Sequence, residues 1–346
     1  MRTFYRSIIF PKTPLKGKFR YKDIFQVYPI NLDNYPKNIH AEHIPCLIEY
    51  WVDREEIQAV NDKDFETINE FLADTTTQTN KLTLITNLLS TITNFRFFFN
   101  RHMEGFWGVE LPEKKFSDAD NQKSKWNLNL FSYPEMSNEL GITDFSTPAF
   151  PDIEFVSRNL YYYYNPIEDR KSYIRFPADC KQTLNGYFNL KPNEKIVCDS
   201  AIFQLCNGLD LYSKMRSLSF LSVISSIETL VNFEFKDEIL EFECQQCKTL
   251  RNSSRNCKKC GRPIWGITAK FRDFLFKFVS NEPKAKKMYN ELYNLRSKIA
   301  HTEFLITNDN ILDWNLNSKS FELRVKQLEA IQTARRAISS WLQKDL

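Results

Sequence analysis

The chain has 346 residues, 42% of them hydrophobic, 26% charged and 14% aromatic, a balance that suits two folded domains and excludes the disordered and fibrous classes. Its 47 basic and 43 acidic residues leave a net charge of +4 and a sequence pI near 8.5, which is compatible with a nucleic-acid partner but falls short of the pI above about 9 that would argue for one. Residues 1–10 lack the apolar run of a signal peptide and no run of about 18 apolar residues occurs, so a cytoplasmic protein without a membrane span is expected, its eight cysteines reduced.

In chain order, residues 1–190 mix strand and helix signals and are expected to form a mixed α/β domain. Branched and aromatic runs at 7–10, 46–52, 97–111 and 126–131 read as strands. Two helices lie between them, one carrying Phe65, Ile68 and Phe71, the other Leu82, Ile85, Leu89, Ile92 and Phe95, with the polar stretch 74–80 as separator. The charged stretch 113–125 reads as a loop, and the four tyrosines at 161–164 as a strand with one buried face rather than a base-stacking surface. His40, His43 and Cys46 stand at three-residue intervals, but Pro45 interrupts any helix that would align them as metal ligands.

A boundary is expected at 189–199, where Pro192 and polar residues precede a change to helical texture. Stripes follow at 201–214, at 216–233 (Phe220, Val223, Ile227, Leu230 and Val231 on one face), and at Phe271, Phe274, Leu275 and Phe278. Pro283 opens a helix bearing Met288, Leu292, Leu295 and Ile299, and a last one covers 324–342. Five amphipathic helices joined by short links predict an all-α bundle over 195–346, giving an α+β chain overall.

Glycine is scarce, with eight in the chain, and none frames a phosphate-cradling loop; G-x-G-x-x-G, G-x-S-x-G and H-E-x-x-H are all absent. P-loop nucleotidases and nicotinamide enzymes of the usual folds are thereby disfavoured, and hydrolase and zinc-protease readings weakened. Chemistry is instead concentrated at 240–264, where Cys244, Cys247, Cys257 and Cys260 form C-x2-C-x9-C-x2-C. Two thiolates on each tight turn complete a tetrahedral S4 site, which suits Zn2+, and because protein fills all four positions the zinc would be structural. Cys180, Cys198 and Cys206 read as small buried apolar residues. Lys248, Arg251, Arg255, Lys258, Lys259 and Arg262 surround the array, either to grip phosphates or simply as the solvated skin of a loop too small to bury anything.

Downstream, Arg296 and His301 stand five residues apart at the end of an amphipathic helix. The spacing alone is a weak signal, since Arg96 and His102 offer a second arginine–histidine pair. The bland reading of Arg296 and His301 is an arginine paired with a carboxylate and a histidine meeting a helix dipole.

The context of 288–301, MYNELYNLRSKIAH, resembles the C-terminal helix of HEPN domains, helical bundles of toxin and phage-defence ribonucleases, and 217–231, SLSFLSVISSIETLV, resembles their second helix with its acidic residue, here Glu228. The resemblance covers about 199–346 and is nearest to ApeA-like chains, in which a HEPN domain follows an unrelated sensor; the zinc knuckle would be an insertion. It implies a metal-independent endoribonuclease in which Arg296 holds the scissile phosphate, His301 moves protons and Glu228 orients one of them. It also implies a homodimer with a composite cleft, RNA such as tRNA as substrate, and a trigger, for example phage-derived, acting on the N-terminal domain. Ser297 departs from the Asn, Asp or His that often follows the arginine in active members. Two competing expectations are a non-catalytic module in which the bundle and zinc knuckle bind RNA or a protein, and an enzyme whose site lies among the aromatic residues of the first domain.

Overall fold

The computed structural model describes residues 2–30, 44–53, 70–99, 141–162, 173–236, 241–243, 250–252, 266–301, 306 and 318–345. These divide into two compact units, Met1–Lys181 and Gln182–Leu346. The first is a mixed α/β unit built on an antiparallel sheet; the second is almost wholly helical.

In the first unit, β1 (Arg2–Pro11) lies inside the sheet, pairing with β4 (Cys46–Asp53) on one side and with the short strands β5 (Phe97–Phe98) and β6 (Gly141–Ile142). Outward from β4 come β3 (Phe25–Pro29) and β2 (Phe19–Tyr21). The expected strands at 7–10 and 46–52 fall within β1 and β4. Of 97–111 only the first residues are described, as β5, and 126–131 lies outside the described residues.

Register decides what each face carries. Arg6, Glu49 and Gln26 stand opposite one another across β1, β4 and β3, and the neighbouring row is Tyr5, Tyr50 and Phe25, which the pleat turns to the other face. The helix α1 (Glu70–Ile92) meets this second row: the Tyr50 hydroxyl donates to the Gln78 carbonyl at 3.5 Å. Residues 144–150 cross the first row, with Phe145 edge-on to Phe4 at 5.3 Å and Phe150 against Tyr28. β7 (Phe155–Val156), α2 (Arg158–Tyr161) and β8 (Phe176–Pro177) complete the unit, β7 and β8 pairing in parallel.

Two expectations change here. The polar stretch 74–80 does not separate two helices, because α1 runs straight through it. The helix accommodates a buried threonine there because its hydroxyl is satisfied within the helix, Thr77 Oγ1 donating to the Ala73 carbonyl at 2.7 Å. Of the tyrosine run, Tyr161 and Tyr162 are not in a strand either, and 163–164 lie outside the described residues. Tyr161 ends α2, and the described pair is buried with both hydroxyls engaged, Tyr161 on the Arg175 carbonyl and Tyr162 on that of Ile92.

The helix α3 (Cys180–Phe188) contains the division between the units, upstream of the 189–199 stretch expected to hold it. The reason is packing. Gly186 lies so close to the Leu342 carbonyl that a Cβ would sit 1.8 Å from its oxygen, and Gln343 Nε2 donates to Thr183 Oγ1 at 2.7 Å, so this polar, Pro-flanked region belongs with the helices. There follow α4 (Pro192–Asp210), α5 (Arg216–Glu234), α6 (Ile267–Phe278), α7 (Pro283–Ala300) and α8 (Ser318–Leu342). Helix α4 starts nine residues before the expected 201, since Pro192 opens it and the Glu194 carboxylate accepts the Lys191 N–H at 3.2 Å.

Helix α5 is the centre of this unit. Its apolar residues were expected on one face, yet Ser217, Ser219 and Ser226 are buried with them. Serines permit close approach and spend their hydroxyls locally: Ser219 Oγ donates to the Gly208 carbonyl of α4 at 2.6 Å and accepts from Gln327 Nε2 of α8 at 2.9 Å. At the far end, Glu234 accepts from Trp341 Nε1 at 2.9 Å and from Lys277 Nζ at 2.6 Å, joining α5 to α8 and α6. Between α5 and α6 lie two short strands, β9 (Glu241–Glu243) and β10 (Leu250–Asn252), paired antiparallel with Leu250 opposite Glu243.

Candidate functional site

Amphipathic spacing turns α7 so that Tyr289, Leu292, Tyr293 and Ile299 are buried, and Arg296 lies at the margin of that face. Its guanidinium meets Glu228 of α5, Nη2 donating to Oε2 at 3.2 Å, with side-chain exposures of 29% for Arg296 and 12% for Glu228. A carboxylate this buried needs a partner, and Arg296 supplies it. The guanidinium carbon also stands 6.0 Å from the ring centre of Tyr293. The ring of Tyr293 packs on Phe271 of α6, centroids 5.2 Å apart, so α5, α6 and α7 all contribute to this cluster.

His301 lies just past the end of α7, which stops at Ala300. Its backbone N–H donates to the Ser297 carbonyl at 3.1 Å, and the residue is exposed. Five residues of helix correspond to about 140° of rotation, so on one helix the Arg296 and His301 side chains set out in different directions. The fold therefore brings Glu228 and Arg296 together and leaves His301 presented to solvent at the helix end. Spacing could not have paired Glu228 with Arg296, because only the packing of α5 on α7 does so. Tyr293 and Phe271 were missed as site neighbours; the signal for Tyr293 was its place three residues before Arg296, one helical turn away.

The second arginine–histidine match is structural on its arginine side. Arg96 is buried, and its Nη1 donates to Asn87 Oδ1 at 3.1 Å, to Ser90 Oγ at 3.1 Å and to the Phe97 carbonyl at 2.9 Å, while its guanidinium stands over Phe98. Its partner His102 lies outside the described residues, as do His40 and His43. Cys46, Cys180, Cys198 and Cys206 are buried, and burial pushes the Cys46 and Cys180 thiols far up, away from thiolate chemistry.

No family model, curated protein or solved structure matches this chain.

Cys244, Cys247, Cys257 and Cys260 lie outside the described residues, and among the described residues no group of three or more His, Cys, Asp or Glu could hold a metal ion. Their chain neighbours are described: Cys244 directly follows β9, and residues 244–249, with Cys247, connect it to β10. No described helix is long and apolar enough to cross a membrane.

The first unit holds a buried polar cluster around Glu49. The Glu49 carboxylate accepts from Arg6 Nε at 2.9 Å and Nη2 at 2.8 Å, from the Tyr28 hydroxyl at 2.5 Å, from Gln26 Nε2 at 2.6 Å, and from Ser146 through its N–H at 2.8 Å and Oγ at 2.7 Å. Burial alone pushes its pKa up, but the hydrogen bonds from Tyr28, Ser146 and Gln26 together outweigh burial and hold it below the usual range. With both oxygens saturated, Glu49 is an anchor and not a base in waiting.

Proposed function

We propose that the protein is a metal-independent endoribonuclease of HEPN type, a toxin-like or antiviral defence effector. The observation that carries this reading is the part-exposed Arg296 guanidinium, oriented by Glu228 across α5 and α7, on the helix whose end presents an exposed His301. The planar fork of an arginine matches phosphate oxygens, and histidine is the side chain whose ordinary pKa allows proton transfer in both directions near neutrality.

In this reading Arg296 holds the scissile phosphate and stabilises charge on the phosphorane. A His301 imidazole removes the proton of the ribose 2′-OH, the O2′–P bond forms as the P–O5′ bond breaks, and a proton is delivered to the departing 5′ oxygen. The products are a 2′,3′-cyclic phosphate and a 5′-hydroxyl. The resemblance to HEPN domains is the reason for assigning the cleft to a homodimer, in which two copies together supply the arginine and histidine groups. The substrate is RNA, tRNA among the candidates.

The four cysteines 244, 247, 257 and 260 would hold a structural Zn2+ as an insertion between α5 and α6, near which Arg251 and the neighbouring lysines could contact RNA. Connection of β9 to β10 through 244–249 is in keeping with a knuckle at a hairpin turn. The first unit would serve as sensor or brake, answering a phage-derived or other trigger. A second reading, a non-catalytic module that binds RNA or a protein, is favoured by one observation: Arg296 already has an internal carboxylate partner.

The test is cleavage of total RNA by the purified protein in EDTA. Cleavage is expected from the wild type, with 2′,3′-cyclic phosphate ends, and its loss from His301→Ala, in protein carrying about one zinc per chain by metal analysis. Equal cleavage by the two proteins would refute the assignment, and binding without cleavage even when a trigger is supplied would establish the second reading.

A further inference from the structure

Residues 12–22 of the first unit, KTPLKGKFRYK, carry five cations and no carboxylate. Burial alternates along them. Thr13, Leu15, Gly17, Phe19 and Tyr21 are buried, while Lys16, Arg20 and Lys22 are exposed and Lys12 and Lys18 part-exposed. This is the alternation of an extended chain, and it sets a row of positive charge in solvent along the segment that leads into β2 and the turn after it.

Lysines on an edge strand commonly guard it against pairing with another chain. Here that edge is already covered, since the Lys18 N–H donates to the Pro151 carbonyl and the Lys18 carbonyl accepts from the Ile153 N–H, both at 2.8 Å. Nor does guarding an edge call for rings beside the charges. Lys16 Nζ stands 4.7 Å from the ring centre of Tyr173, the Arg20 guanidinium carbon 4.7 Å from that of Phe145, and Lys22 Nζ 5.4 Å from that of Tyr21. Lys22 also holds a turn position with φ of 46°, where glycine or asparagine would sit with less strain. The Trp51 indole N–H donates to the Asp23 carbonyl of the same turn, and the Arg2 guanidinium carbon lies 3.9 Å from the Trp51 ring centre.

An arginine held by a ring keeps N–H donors for a phosphate, unlike Arg6, which is closed on Glu49. The nearby carboxylates take up little of this charge. Asp23 meets Arg20 at 2.8 Å, but with side-chain exposures of 79% and 46% the pair is weak, and Glu154 accepts from the Tyr173 hydroxyl at 2.6 Å and faces Arg175 at 3.7 Å.

We propose that this basic, ring-backed edge of the first unit binds a single-stranded nucleic acid, with Arg2, Lys16, Arg20 and Lys22 on its phosphates and the Tyr173 and Trp51 rings beside its bases. Cations that track a backbone, interleaved with aromatic rings, are the means by which single strands are held without regard to sequence. The inference goes beyond the nuclease reading and stands without it, because it rests on the first unit alone.

The experiment measures binding of a fluorescein-labelled oligodeoxythymidylate of about 20 nucleotides to the full chain, by fluorescence anisotropy over a range of salt concentrations. The probe has no 2′-OH, so the proposed cleavage chemistry cannot act on it, and failure of either reading leaves the other standing. Lys16→Gln/Arg20→Gln/Lys22→Gln is expected to bind about tenfold more weakly at about 0.15 M salt and to lower the slope of log affinity against log salt by about 2, since each single-strand phosphate contact contributes about 0.7. Lys16→Gln alone, outside any strand, should lower the slope by about 0.7 and decides the matter if the triple variant does not fold. Lys284→Gln/Lys286→Gln/Lys287→Gln, which removes three exposed charges from α7, should bind as the wild type does. No binding by the wild type, no change in slope, or equal weakening by the two triple variants would overturn the inference. Full displacement of the probe by millimolar inorganic phosphate would overturn it too, by making the site one for free phosphate.

Discussion

At the scale of single residues, Glu49 and Arg296 spend their charges differently. Glu49 is fully buried and saturated, whereas Arg296 keeps 29% of its side chain exposed and one donor unmatched. The difference is measurable through pH. Because the folded pKa of Glu49 lies below its ordinary 4.5, its contribution to stability is fully present above about pH 4.5 and is lost as pH falls through the depressed value. Protection of the β1, β3 and β4 amides against hydrogen exchange, taken relative to the intrinsic rate at each pH, should therefore fall on acidification below pH 4.5. Glu49→Gln should speed the same amides at pH 7, as expected for the loss of about 3 kcal/mol when one member of a buried pair is removed, and should flatten the acid response. An acid response unchanged in Glu49→Gln would place its origin in another carboxylate.

At the scale of elements, tertiary packing overrode local texture in both directions. A threonine-rich polar stretch became part of α1, with the buried Thr77 hydroxyl satisfied by the Ala73 carbonyl one turn back. Tyr161 and Tyr162, the described part of a tyrosine run that suggested a strand, lie at a helix end with their hydroxyls on buried carbonyls at 2.8 and 2.6 Å. Helix α5 is buried on more than one side, and its serines permit this by their size and by their bonds to α4. The sharpest requirement falls on α3, where Gly186 faces backbone and not a movable side chain. Gly186→Ala places a methyl against the Leu342 carbonyl, so α3 must lift from α8. A cost of about 1–3 kcal/mol is expected from such overpacking, read as a lower melting temperature of the helical unit; an unchanged melting temperature would mean that α3 contributes nothing to it.

At the scale of the whole molecule, a mixed α/β unit precedes a helical one, and the proposed chemistry needs a second copy. Sedimentation velocity should return twice the 41.0 kDa chain mass. Mixing Arg296→Ala with His301→Ala protein should restore part of the RNA cleavage absent from each alone, since a composite cleft draws its groups from two chains. A strictly monomeric protein that still cuts RNA would overturn the composite cleft and leave Arg296 and His301 to act within one chain.

Periodicity alone located α5, α7 and α8 and the cores of β1 and β4, because helix and strand repeats are local properties that burial of one face imposes on the sequence. The pair Arg296 and His301 was legible as a short motif at the end of that helix, its meaning supplied by the family resemblance and not by its spacing. Tertiary structure alone decided that Glu228 meets Arg296 with Tyr293 beside it, that Glu49 gathers donors from two strands and a crossing segment, and that α3 joins the helices. Those contacts join residues 68 positions apart in the helical site and up to 97 around Glu49, and only the pairing of distant faces, which no local repeat encodes, can create them.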